Sequence, residues 1–341
     1  MQAEQIEIAS VTEVGKIGIL YLKHFWSIKK AIRNGLQSQI KVESNWRVDT
    51  LLFTALGLGV EQVVKYVYME NPTFEEFEDW ILQLNGNQIS KENIEIFNAI
   101  IKGEPVSLQS GISDDVLTNQ DLEFFNTNGY VIVRNAVSKQ DCEAAVAAIC
   151  NFIGADLNNP ETWYTVHQAK QKIMVQLFQH PDLEKNRNSP KIRRAYEQIF
   201  GHGNILRNTD RAGFNPPETV KHPFQGPDLH WDVSLNLPIP FGLQGILYLT
   251  DTAENQGAFT LVPGFQHKIE SWINSLPTQA NPHTQNLHAL GSKPIAANAG
   301  DFIIWHQALP HGSSANTATM PRIVQYINYV AVDFEYSEIW Q

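Results

Sequence analysis

Residues 229–237 read Leu-His-Trp-Asp-Val-Ser-Leu-Asn-Leu. Taken as a strand, this run sends side chains at i and i+2 to one face. His230 and Asp232 then project together, while Trp231 and Val233 point the other way. Further candidate strands lie at 204–211, 243–250, 257–262, 300–306 and 322–333. Turns fall between them at Asn215-Pro216-Pro217, Pro263-Gly264 and Ala299-Gly300. Strand following strand with no helix between argues against a parallel doubly wound sheet. It predicts a mostly β core built as an antiparallel barrel or jelly roll.

Upstream of this region the pattern is helical. Thr118 and Asp121 open a helix that ends at Asn128-Gly129, and a strand, Tyr130–Val133, follows. Ser138 and Asp141 start a helix that runs to Gly154, and Ser189-Pro190 starts one that ends at Gly201. Residues 103–117 lose periodicity and gain Gly, Pro and Ser, so the domain boundary is placed there. Residues 1–105 then form an all-α N-terminal module and residues 118–341 the β domain. In the module, Ile17, Leu20, Tyr21, His24 and Phe25 recur at helical spacing. A second segment, 48–68, is interrupted at Gly57 and Gly59, and Thr73 with Glu76 forms a capping box. One more helix runs from about Ser90 to Lys102. Trp26, Trp46, Phe74, Phe77 and Trp80 predict packing on the barrel or on a second subunit, so a homodimer through this module is one expected association. Gly57-x-Gly59 lacks a preceding strand and is not read as nucleotide-binding.

Composition narrows the function classes. The 341 residues are 43% hydrophobic and 18% charged, ordinary for a globular protein, and the formal net charge is −11. Such a chain repels nucleic acid and anionic lipid, so neither is an expected partner, although a local basic pocket for a small anion stays compatible with it. The longest apolar runs, such as Phe302-Ile303-Ile304-Trp305, are far too short to span a bilayer. No secretory signal is read at the N-terminus, and the expected location is the cytoplasm. Cys142 and Cys150 lie on one helix, too far apart to bridge, and read as small apolar side chains of a reducing compartment.

An imidazole and a carboxylate side by side need one more histidine to complete the 2-His-1-carboxylate triad of non-haem iron(II) oxygenases. Two histidines on late strands compete, His306 and His311. Arg322 follows on the next expected strand, with Arg322, Val324 and Tyr326 alternating inward. A planar guanidinium there is a natural anchor for the far carboxylate of 2-oxoglutarate. A His-x-Asp pair alone is a common accident. The ordered set of His, Asp, His and Arg within a strand-rich region is a far more specific signal. Arg211 is a candidate partner for an anionic group, though a surface ion pair is the plainer reading. Trp163 and Gln176 are weaker candidates for lining the site, and core packing is the plainer role for Trp163.

Several segments resemble the phytanoyl-coenzyme A dioxygenase family over roughly residues 120–333. They are Asn128–Arg134, Leu229-His230-Trp231-Asp232, Asn255-Gln256-Gly257-Ala258 with Val262-Pro263-Gly264 and His267, and Gly300-Asp301 through Trp305-His306 to His311-Gly312-Ser313 and Arg322. The resemblance implies a double-stranded β-helix (jelly-roll, cupin-like) with flanking helices. It implies His230, Asp232 and His311 as iron(II) ligands, and Arg322 with Ser313 as holders of 2-oxoglutarate. His306 is left to a supporting or structural role. The resemblance further implies dioxygen as the oxidant and oxidation of an unactivated C–H bond, by hydroxylation or a related reaction, and a small molecule is the expected substrate. Related halogenases replace the carboxylate with a small residue, so Asp232 points to hydroxylation. The rival readings are a zinc hydrolase on a similar barrel and a binding protein that has lost turnover.

Overall fold

The computed structural model describes residues 7–36, 45–108, 114–335 and 337. The expected boundary at 103–117 includes residues 109–113, which lie outside the described residues. The chain divides into two compact units, residues 1–108 and 109–341.

The first unit is helical: α1 (Leu22–Arg33), α2 (Trp46–Ala55), α3 (Val60–Glu70), α4 (Phe74–Leu84) and α5 (Lys91–Lys102). The Gly57–Gly59 interruption separates α2 from α3. The Thr73 hydroxyl accepts from the Glu76 amide, and the Glu76 carboxylate accepts from the Thr73 amide at 2.7 Å, so the expected capping box opens α4. Several of the aromatics contact one another within the unit. Phe77 is fully buried, Trp80 stacks on Tyr66 at 4.1 Å, and Trp26 leans on Phe74; Trp46 stays exposed. Among the described residues, no single helix is long and apolar enough to cross a membrane.

The second unit contains β1 (Tyr130–Val133), β2 (Lys170–Gln171), β3 (Met174–Val175), β4 (Ile205–Arg207), β5 (Ala212–Asn215), β6 (Leu243–Tyr248), β7 (Phe259–Leu261), β8 (Lys293–Pro294), β9 (Phe302–His306), β10 (His311–Ser313), β11 (Arg322–Tyr326) and β12 (Tyr329–Ala331). Seven of these form one antiparallel sheet, in the order β1-β9-β6-β11-β5-β3-β2. A second sheet runs β10-β7-β8, and β12 pairs with β4. The helices α6 (Asn119–Asn128), α7 (Lys139–Ile153), α8 (Pro181–Arg187), α9 (Pro190–Phe200) and α10 (Ile269–Ser275) flank them.

The run Phe302-Ile303-Ile304-Trp305 is apolar throughout because β9 is covered on both faces. Phe302 and Ile304 join a core with Cys142, Ile149 and Tyr196 of α7 and α9. Ile303 and Trp305 join a second core with Ile246, Tyr248 and Val324 of the large sheet and Phe259 and Leu261 of the small one. The second core therefore lies between the two sheets. Cys142 and Cys150 are both buried and free, and burial pushes their thiols up to about 12 and about 11.

Three expectations need correction. The segment 229–237 is not a strand. Its backbone makes a single bridge, His230 to His311, and then bends. Pro227, Pro238 and Pro240 bracket it and offer no amide to a ladder. Trp231 is buried in the second core, where its indole donates to the Ala308 carbonyl at 3.0 Å. The 204–211 candidate shrinks to β4, and the strand beside Arg322 is β5, one step later. The 322–333 candidate splits into β11 and β12. At the break, the Asn328 side chain accepts from the Gly245 amide and donates to Asp210.

Candidate active site

His311 and His230 are held by a two-way backbone exchange: His230 N–H to the His311 carbonyl at 2.9 Å, and His311 N–H to the His230 carbonyl at 3.0 Å. Gly312 allows this approach. A Cβ there would lie 2.6 Å from the Asp228 carbonyl oxygen and 3.0 Å from the Leu229 nitrogen. Each imidazole spends Nδ1 on a backbone carbonyl: His230 on Asp228 at 2.7 Å, His311 on Leu309 at 3.0 Å. A neutral ring that donates from Nδ1 keeps its lone pair on Nε2. Both Nε2 atoms face Asp232, at 3.4 Å from Oδ1 for His230 and 3.2 Å from Oδ2 for His311. One ligand atom from each of the three residues lies within 4.8 Å of the others.

Charge in the cluster is tightly balanced. Burial would raise the Asp232 carboxyl, but hydrogen bonds and charge from His230 and His311 outweigh it and hold it well below the usual carboxylate range. Burial likewise disfavours the His230 cation, yet Asp232 overrides it and raises the imidazole pKa. The donor set, two neutral-capable imidazoles and one ionised carboxylate, suits a divalent first-row metal with open positions.

Gln244, on β6, was not foreseen. Its Nε2 donates to Asp232 Oδ2 at 2.7 Å, and its Oε1 accepts from the Trp305 indole of β9 at 3.1 Å. Gln244 and Trp305 are direct cross-strand partners. Only the register of the large sheet brings this amide to the carboxylate, so no local motif could have flagged it.

Arg322 starts β11 opposite Asn215 and is completely buried. Nε, Nη1 and Nη2 all lack a hydrogen-bond partner among the described residues. A buried guanidinium with every donor unmatched is a costly arrangement unless a bound anion completes it. Strand alternation puts Val324 and Tyr326 on the same face of β11, and both belong to the core between the sheets. Ser313 is buried at the end of β10, on the His311 face.

The weaker candidates separate. Arg211 precedes β5; its carbonyl accepts from the Tyr326 amide, and its Nε lies 3.7 Å from Asp210. Burial raises the Tyr326 phenol, and the positive charges of Arg322 and Arg211 oppose that shift, so both guanidiniums lie within electrostatic reach of it. Gln176 follows β3, with its amide on the Ala169 carbonyl. Trp163 is buried in the helix-side core and donates to the Asp156 carbonyl at 2.8 Å. His306 alternates away from Trp305 and lies outside the ligand cluster; burial lowers its imidazole to about 4.

A mostly β unit in which two histidines and one carboxylate converge beside β10, with a buried orphaned arginine at the start of β11, fits the class of non-haem iron(II)- and 2-oxoglutarate-dependent oxygenases. The family model of phytanoyl-CoA dioxygenase (PhyH) matches residues 125–324, more than half of the chain, and the chain belongs to that family. A Dictyostelium discoideum protein carrying the phytanoyl-CoA dioxygenase name is 24% identical over 255 residues, covering 60% of this chain and 73% of that protein. The ectoine dioxygenase of Bordetella bronchiseptica is 22% identical over 254 residues, covering 69% and 82%. A solved structure of EctD from S. alaskensis with bound iron matches with a TM-score of 0.47 at 16% identity, covering 69% of this chain and 84% of that one.

Proposed function

We propose that this chain oxidises a small molecule with iron(II) held by His230, Asp232 and His311 and 2-oxoglutarate anchored by Arg322 and Ser313. We read the two opposed antiparallel sheets as a double-stranded β-helix of the jelly-roll, cupin-like kind. The observation that carries the assignment is Arg322, a fully buried guanidinium whose three nitrogens have no hydrogen-bond partner among the described residues. A dicarboxylate supplies the bidentate acceptor that such a fork matches.

When bound, iron(II) with 2-oxoglutarate and dioxygen supplies an oxidant strong enough for an unactivated C–H bond, while the cosubstrate is decarboxylated to succinate. The chain's own residues set the geometry. Asp228 and Leu309 carbonyls fix the two imidazole tautomers, and Gln244 orients the Asp232 carboxylate. Phe259 and Trp305 pack against the His311 ring, with centroids 6.0 and 5.1 Å away, and keep water from that side. With the Asp232 carboxylate present in the cluster, no position is freed for a halide, so the reaction is hydroxylation or a related oxidation rather than halogenation.

Anaerobic addition of iron(II) and then 2-oxoglutarate tests the reading. The expected result is the weak visible charge-transfer band of the chelate, followed by succinate release in air with substrate. A folded, iron-loaded protein that gives no band removes the proposal and favours hydrolase chemistry.

A further inference from the structure

A half-open cavity of about 220 Å³ is walled by residues 163–173 on one side and 215–225 on the other. The second wall begins at Asn215, the cross-strand partner of Arg322, and its chain runs on from Gln225 to His230. Within that run the Pro227 carbonyl accepts from the Ser313 amide at 3.0 Å. The cavity thus adjoins the segment that carries the first metal ligand and the strand that carries the cosubstrate anchor.

Its charge is opposite to that of the chain. Two lysines, Lys170 and Lys172, line it against one carboxylate, Glu218, with His167 and His222 alongside, in a protein of net charge −11. Lys170 is half-buried. Its ammonium donates to the Trp163 carbonyl at 2.6 Å and lies 5.3 Å from the Phe214 ring centroid. An ammonium has three donors, and here no carboxylate among the described residues pairs with it. Burial lowers its pKa with no acidic neighbour in opposition. The apolar wall is ordered: Tyr164 stacks on His222 at 4.2 Å and 11°, and its hydroxyl donates to the Pro217 carbonyl at 2.8 Å.

We propose that this cavity receives the substrate's carboxylate. The substrate is then a small carboxylic acid, with its anionic end at Lys170 and its apolar body against Tyr164, His222 and Phe224. The volume lies below the roughly 300–1,000 Å³ of pockets that enclose drug-sized ligands, which sets the size class. This inference rests on the oxygenase reading above.

The test uses the full chain with iron(II) and saturating 2-oxoglutarate, anaerobically, so that Arg322 is already occupied. Benzoate, phenylacetate and hexanoate, each beside its neutral amide, are titrated by calorimetry. At least one acid is expected to bind tenfold or more tightly than its amide. Lys170→Gln, whose amide can still donate to the Trp163 carbonyl, should abolish that preference while leaving the 2-oxoglutarate charge-transfer titration unchanged. Lys170→Arg should retain the preference. His222→Ala, at an exposed loop position, should weaken both aromatic acids severalfold, and serves as the readout if Lys170→Gln melts early. The proposal is overturned if no acid is preferred over its amide, if Lys170→Gln keeps the preference, or if the preference disappears only in Arg322→Ala. Failure of the oxygenase reading shows separately, as loss of the charge-transfer band in the wild type.

Discussion

Arg322 and Gln244 make distinguishable demands on the site. If Arg322 holds the far carboxylate of 2-oxoglutarate, its truncation acts on the cosubstrate and not on the metal. Leaving a buried charge partner unpaired costs about 3–4 kcal/mol, or two to three orders of magnitude in affinity. Arg322→Ala should raise the 2-oxoglutarate dissociation constant by that factor in an anaerobic titration, with iron(II) affinity little changed. Arg322→Lys should recover only part, because an ammonium lacks the planar fork. Wild-type 2-oxoglutarate binding in Arg322→Ala would sink the assignment. Gln244→Leu should do the reverse. Removing the amide that orients a ligating carboxylate costs about 10–100-fold in metal affinity. Iron(II) titration should show this loss, and an unchanged affinity would reduce Gln244 to a packing residue.

Elements matter here mainly through where they stop. The segment carrying His230 and Asp232 was expected to be a strand, and it is a single bridge followed by a bend. The two imidazoles, His230 and His311, still converge, because β10 grips the backbone of His230 and Gly312 leaves room for the contact. Gly312→Ala adds a methyl group within 2.6 Å of the Asp228 carbonyl oxygen. Overpacking of this kind costs about 1–3 kcal/mol. The expected outcome is a lower melting temperature together with a severalfold or greater loss of iron(II) affinity, since the bridge that aligns the two imidazoles must part. An unaltered metal affinity would show that the bridge does not set the ligand geometry. Helix ends, by contrast, follow local chemistry. The Thr73, Thr118 and Ser138 caps stand where their side chains predict them.

At the scale of the whole molecule, every residue assigned to the metal and cosubstrate lies in the 109–341 unit. A chain beginning at residue 109 should therefore bind iron(II) with close to full-length affinity. Loss of binding in such a chain while it remains folded would assign the helical unit a direct part in the site. Acid stability should trace to the ion-pair network behind the large sheet. Burial raises the Glu184 carboxyl, but Arg207 at 2.5 Å and Arg187 at 3.2 Å outweigh it and leave it below the ordinary glutamate value. Its folded pKa is depressed, so its contribution is present above the unfolded value and is lost as pH falls through the folded one. The melting temperature should drop as pH falls below about 5, and the drop should be shallower in Glu184→Gln. Equal slopes in the two proteins would remove Glu184 from the acid response.

The residues proposed to hold the metal, their order along the chain and the downstream arginine were legible as candidates without coordinates, because ligand chemistry restricts which side chains can serve. The helix starts and the β-rich character of the second unit were legible for a similar reason: caps and apolar runs act over a few residues. Three further features depend on contacts between residues far apart in the chain. They are the Gln244 amide on Asp232, the complete burial of an Arg322 with no hydrogen-bond partner among the described residues, and the lysine-lined cavity beside Asn215. Each arises from strand register or from two loops meeting. The same holds for the failed strand at 229–237. Its apolar–polar alternation satisfies the local rule, but the prolines around it and the pull of Trp231 into the core between the sheets leave only one bridge for its backbone to make.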